Sequence, residues 1–226
     1  MLSALALVPT VASAASWNGE ADLGLVATQG NTNTSTLNAA LDVEHQHTQW
    51  RDDLRLEALN SANQGTTTAE RYVGELKTAY DFSHASFWFG NLRYDADRFS
   101  GYAYQASESF GYGHRFHPYA SVHADLQAGP GLRQSRQEGE RGRNEVIVRA
   151  AAGLTWALSD SAKLNQRLRV EGGRSNTTVE SVSSLQSQVV GNLAVKVAET
   201  VKFNSSVPVG TKKTDYLSSV NLVYRF

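Results

Sequence analysis

The 226-residue chain contains no cysteine, which removes disulfides and thiolate metal sites and suits a protein that matures in an oxidising compartment without covalent staples. No run of about 18 apolar residues occurs, so no segment is suited to cross a bilayer as a helix. Neither sign of charge is in excess: 21 basic and 22 acidic residues leave −1, with no overall pull toward nucleic acid or an anionic surface. Proline is scarce, at positions 9, 118, 130 and 208, which leaves long stretches free to donate ladder hydrogen bonds. Hydropathy alone would class the chain as water-soluble.

Both ends contradict that class. Leu2 to Val11 is a short apolar stretch followed by Ala12-Ser13-Ala14, a small-x-small cleavage pattern, so residues 1–14 read as a signal peptide. The basic region that normally precedes such a stretch is missing, as if the start lay further upstream. Residues 15–226 then form one domain. At the other end Tyr216, Val220, Leu222, Tyr224 and Phe226 fall on one side of an extended chain, and Ser219, Asn221 and Arg225 on the other. A two-residue period ending on phenylalanine fits the closing strand of an outer-membrane β-barrel, apolar side chains toward lipid and polar ones toward the lumen.

The same period runs through the chain. Trp17, Ala21, Leu23 and Leu25 alternate with Asn18, Glu20 and Asp22; Leu37, Ala39, Leu41 and Val43 alternate with Asn38, Asp42 and Glu44. From Trp50 the inward positions are Arg51, Asp53, Arg55 and Glu57, four charges on one face that cannot point at lipid. Later strands set Tyr72, Leu76 and Tyr80 against Arg71, Glu75 and Lys77, and Trp88, Leu92 and Tyr94 against Arg93, Asp95 and Asp97. The second half sets Leu126 against Asp125, Val146 and Val148 against Arg149, and Leu164 and Leu168 against Lys163, Arg167 and Arg169. Twelve strands result. Tight turns are expected near residues 48, 83, 118, 160 and 199, and longer polar loops near 31, 64, 100, 139, 176 and 212. Short and long connections alternate, as periplasmic turns and extracellular loops do.

Aromatic residues give a second check, because Trp and Tyr favour membrane interfaces. Trp17, Trp50, Trp88 and Trp156 fall at the short-turn level with Tyr80, Phe82, Tyr112, Phe116, Phe203, Tyr224 and Phe226; Tyr72, Tyr94, Tyr104 and Tyr216 fall at the long-loop level. Pro118 is expected in a short turn, and Pro130 and Pro208 toward outer strand ends. The expected fold is all-β: a twelve-stranded antiparallel up-and-down transmembrane barrel.

Several motifs resemble a known family: Trp17-x-Gly19, Thr28-x-Gly30-Asn31-Thr32, Trp50-Arg51, Asp97-Arg98-Phe99-Ser100-Gly101-Tyr102, Gly111-x-Gly113, Asn204-Ser205-x-Val207-Pro208, Thr214-Asp215 and a Val223-Tyr224-x-Phe226 ending. Together they resemble the bacterial salt-induced outer-membrane proteins, a family otherwise classed as a domain of unknown function. The resemblance covers nearly the whole mature chain and implies an outer-membrane barrel, with no substrate or catalytic residue to carry over.

Function must then be sought in the lumen. Glu20, Asp22, Asp42 and Glu44 form an acidic wall, and Arg149, Lys163, Arg167 and Arg169 a basic one on the opposite side. Opposed walls would set a transverse field across a narrow bore and favour ions and small polar solutes. Alternatively the charges neutralise one another as a plug, since Arg51, Arg55 and Arg225 lie beside the acidic wall and Glu171 within the basic one. The first reading makes the chain a passive narrow channel linked to salt or osmotic response. The second makes it a closed structural barrel whose loops, the one from Gln134 to Asn144 with Arg136, Arg141 and Arg143 above all, contact lipopolysaccharide.

A phospholipase-like enzyme ranks last: His123 shares a face with Ser121 and Asp125, but residues two apart on a strand lie about 6.6 Å apart, too far for a relay. His45 and His47 share a face near a turn and read as interfacial residues, and Gly111 and Gly113 as relief of crowding in the lumen or sheet curvature. No metal or cofactor is expected. The expected partners are membrane lipid, lipopolysaccharide and the barrel-assembly machinery, which would read Tyr224 and Phe226; the chain is expected to be a monomer.

Overall fold

A computed structural model of the chain describes residues 16–28, 34–63, 66–97 and 100–226. The expected signal peptide, the Gly30-Asn31-Thr32 turn and the Arg98-Phe99 dipeptide lie outside the described residues. The strands are β1 (Ser16–Thr28), β2 (Thr34–His47), β3 (Trp50–Asn63), β4 (Thr66–Asp81), β5 (Ser86–Asp97) and β6 (Tyr102–Tyr119), followed by β7 (Val122–Gln137), β8 (Arg143–Ala157), β9 (Ala162–Gly173), β10 (Thr177–Val190), β11 (Leu193–Asn204) and β12 (Thr214–Arg225). Each pairs antiparallel with its sequence neighbours, and β12 pairs with β1 from Glu20↔Arg225 to Leu23↔Leu222, closing the barrel. Gly19 and Phe226 extend that seam with reciprocal backbone hydrogen bonds of 2.8 and 2.9 Å. Closure leaves no sheet edge, the condition for an extended chain to cross a bilayer.

Strand geometry sends successive side chains to opposite faces, and β5 displays this plainly: Trp88, Leu92 and Tyr94 are exposed, while Phe87, Phe89, Asn91, Arg93, Asp95 and Asp97 are buried inside. Exposed leucines, valines and aromatics coat the outside, including all four tryptophans at the short-turn level. Such a coat is stable only against hydrocarbon.

Four expectations are corrected. The turn placed near 199 lies at Gly191-Asn192, where Gly191 takes a φ of +53°, and Glu199 sits inside β11 between Ser183 and Ser218. A bulge between Gln188 and Val190 keeps odd-numbered residues outward on both sides of that turn, so the alternation passes through it unbroken. Phe203 consequently moves to the long-loop level, paired with Val179 and Thr214, and Val207 falls in the loop after β11. Pro130 lies in the middle of β7, not at a strand end, where the β6–β7 ladder jumps from Ser109↔Gly131 to Tyr112↔Ala128. A Cβ at Gly111 would come within 2.2 Å of the Ala128 carbonyl, so the two strands crease against each other there. Pro118 falls within the last residues of β6, at a register irregularity between Phe116 and Tyr119.

Candidate functional site: a lumen crossed by ion pairs

The inward faces of β4, β5, β9, β10 and β11 converge on one network in the half of the bore nearer the long loops. In a ring of twelve, strands six apart are diametrically opposed, as β4 is to β10 and β5 to β11. Arg71 on β4 donates to Asp95 at 3.0 Å and also to Glu180 on β10. Arg93 on β5 reaches Glu75 at 2.7 Å and the same Glu180 at 3.1 Å. From the far wall Lys202 on β11 donates to Asp95 and Asp97, each at 3.0 Å. Arg169 completes the knot with Glu171 at 2.8 Å and Glu180 at 3.6 Å. The bore is therefore spanned by side chains from opposite walls. Arg93, Asp95 and Lys202 are 6%, 5% and 3% exposed, so each ion has lost nearly all its water. Such desolvation costs several kcal/mol per ion and is offset only where each charge has multiple partners, as these do.

Below this belt, toward the short turns, the lumen becomes apolar. Phe87 and Phe89 turn inward and pack with Ala79. A Cβ at Gly113 would lie 2.2 Å from the Phe87 ring, so the absence of a side chain there makes room for it. Arg115 and Arg51 stand over Phe87 at 4.6 and 5.5 Å, and Arg149 over Phe89 at 5.2 Å. A collar of two phenylalanines faced by guanidiniums lines this part of the bore.

Above the belt the mouth is covered. Tyr102 donates to the Ser206 carbonyl at 2.8 Å, joining the start of β6 to the loop after β11. Gly101 has a φ of +81°, and a Cβ there would strike the Pro208 ring at 2.4 Å. Asn204 accepts from Asn176 and Thr178, each at 3.0 Å. Two motifs singled out in the sequence, the one ending Ser100-Gly101-Tyr102 and Asn204-Ser205-x-Val207-Pro208, thus pack on each other across the opening.

The acidic and basic walls both face the lumen, and parts of them touch. Lys163 donates to Glu20 at 2.8 Å, Arg167 lies 3.9 Å from Asp42, and Arg55 donates to Asp42 at 2.8 Å. Asp22 is held by Lys196 at 2.5 Å, while Asp53 takes Lys77 at 2.7 Å and Arg51 at 3.9 Å. Glu44 faces inward beside Asp53, and Arg225 inward opposite Glu20. Arg149 and Arg169 belong to the central knot instead, Arg149 lying 3.7 Å from Glu75. Asp125 accepts from Gln127 at 2.7 Å, while the His123 ring packs 4.9 Å from that of His117. A hydroxyl does meet a histidine elsewhere: Ser86 Oγ lies 3.0 Å from His114 Nδ1 on the outer face, beside the Tyr112 hydroxyl. His45 and His47 face outward, His45 stacked on Trp17 at 4.2 Å.

Glu180, which receives three arginines, escapes sequence reading because the long loop expected near 176 obscures the start of β10 at Thr177. The signal was present: Glu180 is in phase with the inward Gln186 and Gln188.

A closed antiparallel barrel with an apolar exterior and an ionic interior defines the class: a β-barrel membrane protein of the outer-membrane architecture. Within that class the chain belongs to the DUF481 family, described as a protein of unknown function, whose profile matches residues 21–226. It is similar to the uncharacterized protein YdiY of Escherichia coli (strain K12), 27% identical over 212 residues that cover 92% of this chain and 82% of the other. Among solved structures it is similar to the NanC porin (TM-score 0.53, 8% identity, 93% of this chain and 98% of that one). It is also similar to the translocator domain of the autotransporter NalP from Neisseria meningitidis (TM-score 0.47, 13% identity, 93% and 87%).

Proposed function

We propose that this protein is a gated outer-membrane channel for ions and small polar solutes, held shut at rest by the ion pairs that cross its bore. One observation carries the reading: Arg71 and Arg93 from one wall both bind Glu180 from the opposite wall. A barrel meant only to be solid would gain by filling its lumen with apolar side chains, since buried ion pairs are often no better than hydrophobic replacements of equal volume. Ionised groups kept inside the membrane-spanning part of a protein mark a path for polar species. The lumen pairs that solvent does reach, Lys163–Glu20 and Arg167–Asp42, weaken as ionic strength rises, which gives a physical link to salt or osmotic response. On this reading the chain is exported through the periplasm and inserted by the barrel-assembly machinery through its last strand as a monomer.

Planar-bilayer recording tests it. Wild type should stay near leak at moderate salt, and Glu180→Gln should produce discrete openings. If neither conducts while heat-modifiable gel mobility reports folded barrels, the lumen is a sealed plug. The second reading then takes over, a structural barrel whose loop cations Arg141, Arg174, Lys212 and Lys213 face lipopolysaccharide; those cations, at the long-loop end, are the observation in its favour.

A further inference from the structure

The outer wall carries a feature that the lumen does not explain. Glu108 lies on the lipid-facing side of β6, opposite Leu92 and Leu132, and midway between the outward residues Tyr104 and Tyr112. It is exposed at the depth where the barrel is otherwise coated in leucine and valine. Other outward carboxylates have company: Asp52 accepts from Thr78 at 2.7 Å, and Glu199 accepts from Ser218. Glu108 makes no hydrogen bond or ion pair among the described residues.

The surface around it is concave. Two depressions of about 600 and 490 Å³ share Leu76, Leu92, Glu108 and Leu132, so the carboxylate sits on the ridge common to both. Gly74, Gly90 and Ala106, with no side chain or a single methyl, open the floor, and Phe110 and Val146 form the far rim. These volumes fall in the roughly 300–1,000 Å³ range of small-molecule sites.

We infer that this groove binds a membrane-dissolved amphiphile with a cationic ammonium head and a single alkyl chain, the head on Glu108 and the chain along the leucines. Charge complementarity selects the head, because an unpaired carboxylate facing hydrocarbon is stabilised by an opposite charge that arrives through the lipid. The apolar lining selects the tail. A second copy of this chain is the poorer occupant: the outward faces of the described strands carry one Arg or Lys, Arg136, which lies at the loop end over the Tyr104 ring. The inference stands whether the lumen is open or shut.

The test uses the full chain in phosphatidylcholine nanodiscs with ω-bromododecylamine, whose bromine quenches tryptophan on contact. Trp88, stacked 6.3 Å from Phe110, is the reporter, in a Trp17→Phe, Trp50→Phe, Trp156→Phe background used for every chain below because those three tryptophans also face lipid. Wild type should be half-quenched at about tenfold lower concentration by the amine than by ω-bromododecanol or ω-bromododecanoate. Glu108→Gln should abolish that preference, and Glu199→Gln should leave it intact. Gly90→Leu keeps the carboxylate but fills the groove, and a Cβ at Gly90 meets no atom within 4 Å, so this variant should fold and lose binding even if Glu108→Gln does not fold. Equal quenching by amine and alcohol, an unchanged preference in Glu108→Gln or Gly90→Leu, or a Glu108-dependent dimer in native mass spectrometry would overturn the inference.

Discussion

The bore is obstructed twice, by different physics. Nearer the long loops Arg71, Arg93, Lys202, Asp95 and Glu180 link opposite walls through charge, whereas nearer the short turns Phe87 and Phe89 narrow the bore with aromatic volume. Charge pairs act at fixed geometry, are strong only while desolvated, and fail as a set when one member goes. Packed rings act through contact area, are indifferent to salt, and fail locally. The difference teaches that a solute path here would need two separate events, one electrostatic and one steric.

The largest effect should come from Glu180→Gln. Removing the carboxylate that holds Arg71, Arg93 and Arg169 strands buried cations and should cost about 3–5 kcal/mol in urea-induced unfolding from vesicles. It should also give openings whose frequency rises with KCl concentration. Stability within 1 kcal/mol of wild type would show that the belt is hydrated and not a lock.

Next, Phe87→Ala should cost about 3 kcal/mol through lost packing on Ala79 and Gly113. Combined with Glu180→Gln it should raise open-state conductance without changing its salt dependence. If Phe87→Ala conducts alone, the aromatic collar is the gate and the belt is not.

A double-mutant cycle sharpens the point. Arg71→Gln with Glu180→Gln should show a coupling of about 1–3 kcal/mol, while Phe87→Ala with Glu180→Gln should be additive within about 0.5 kcal/mol. Smallest of all, Lys163→Gln should change stability by less than about 1 kcal/mol, because Lys163 and Glu20 remain 32% and 22% exposed at their side chains. A larger loss would extend the locked region to the acidic wall.

Much of this architecture is legible in the chain itself, for a physical reason: alternation assigns each residue a face, and charge cannot face lipid. Arg51, Asp53, Arg55 and Glu57 reveal their side at a glance. What alternation cannot supply is height. Which acid meets which base depends on turn positions and strand stagger, and Arg71 meets Glu180 across 109 residues of sequence. The Gln188 bulge hid one turn by preserving phase, and with it the level of Phe203. Glu108 is illegible for the opposite reason: it breaks the alternation, a charge on the face where only apolar side chains are expected.

The Pro208 ring resting in the notch at Gly101 has a kinetic corollary. The tip at Pro208 holds by shape, whereas Ser205 and Ser206 before it are tied to Asn176 and Thr177 by four hydrogen bonds and to Tyr102 by a fifth, so only the tip lifts at small cost. The Pro208 tip should therefore flicker faster than the charge belt beneath it rearranges, and small molecules would sample the vestibule at that corner long before anything passes through.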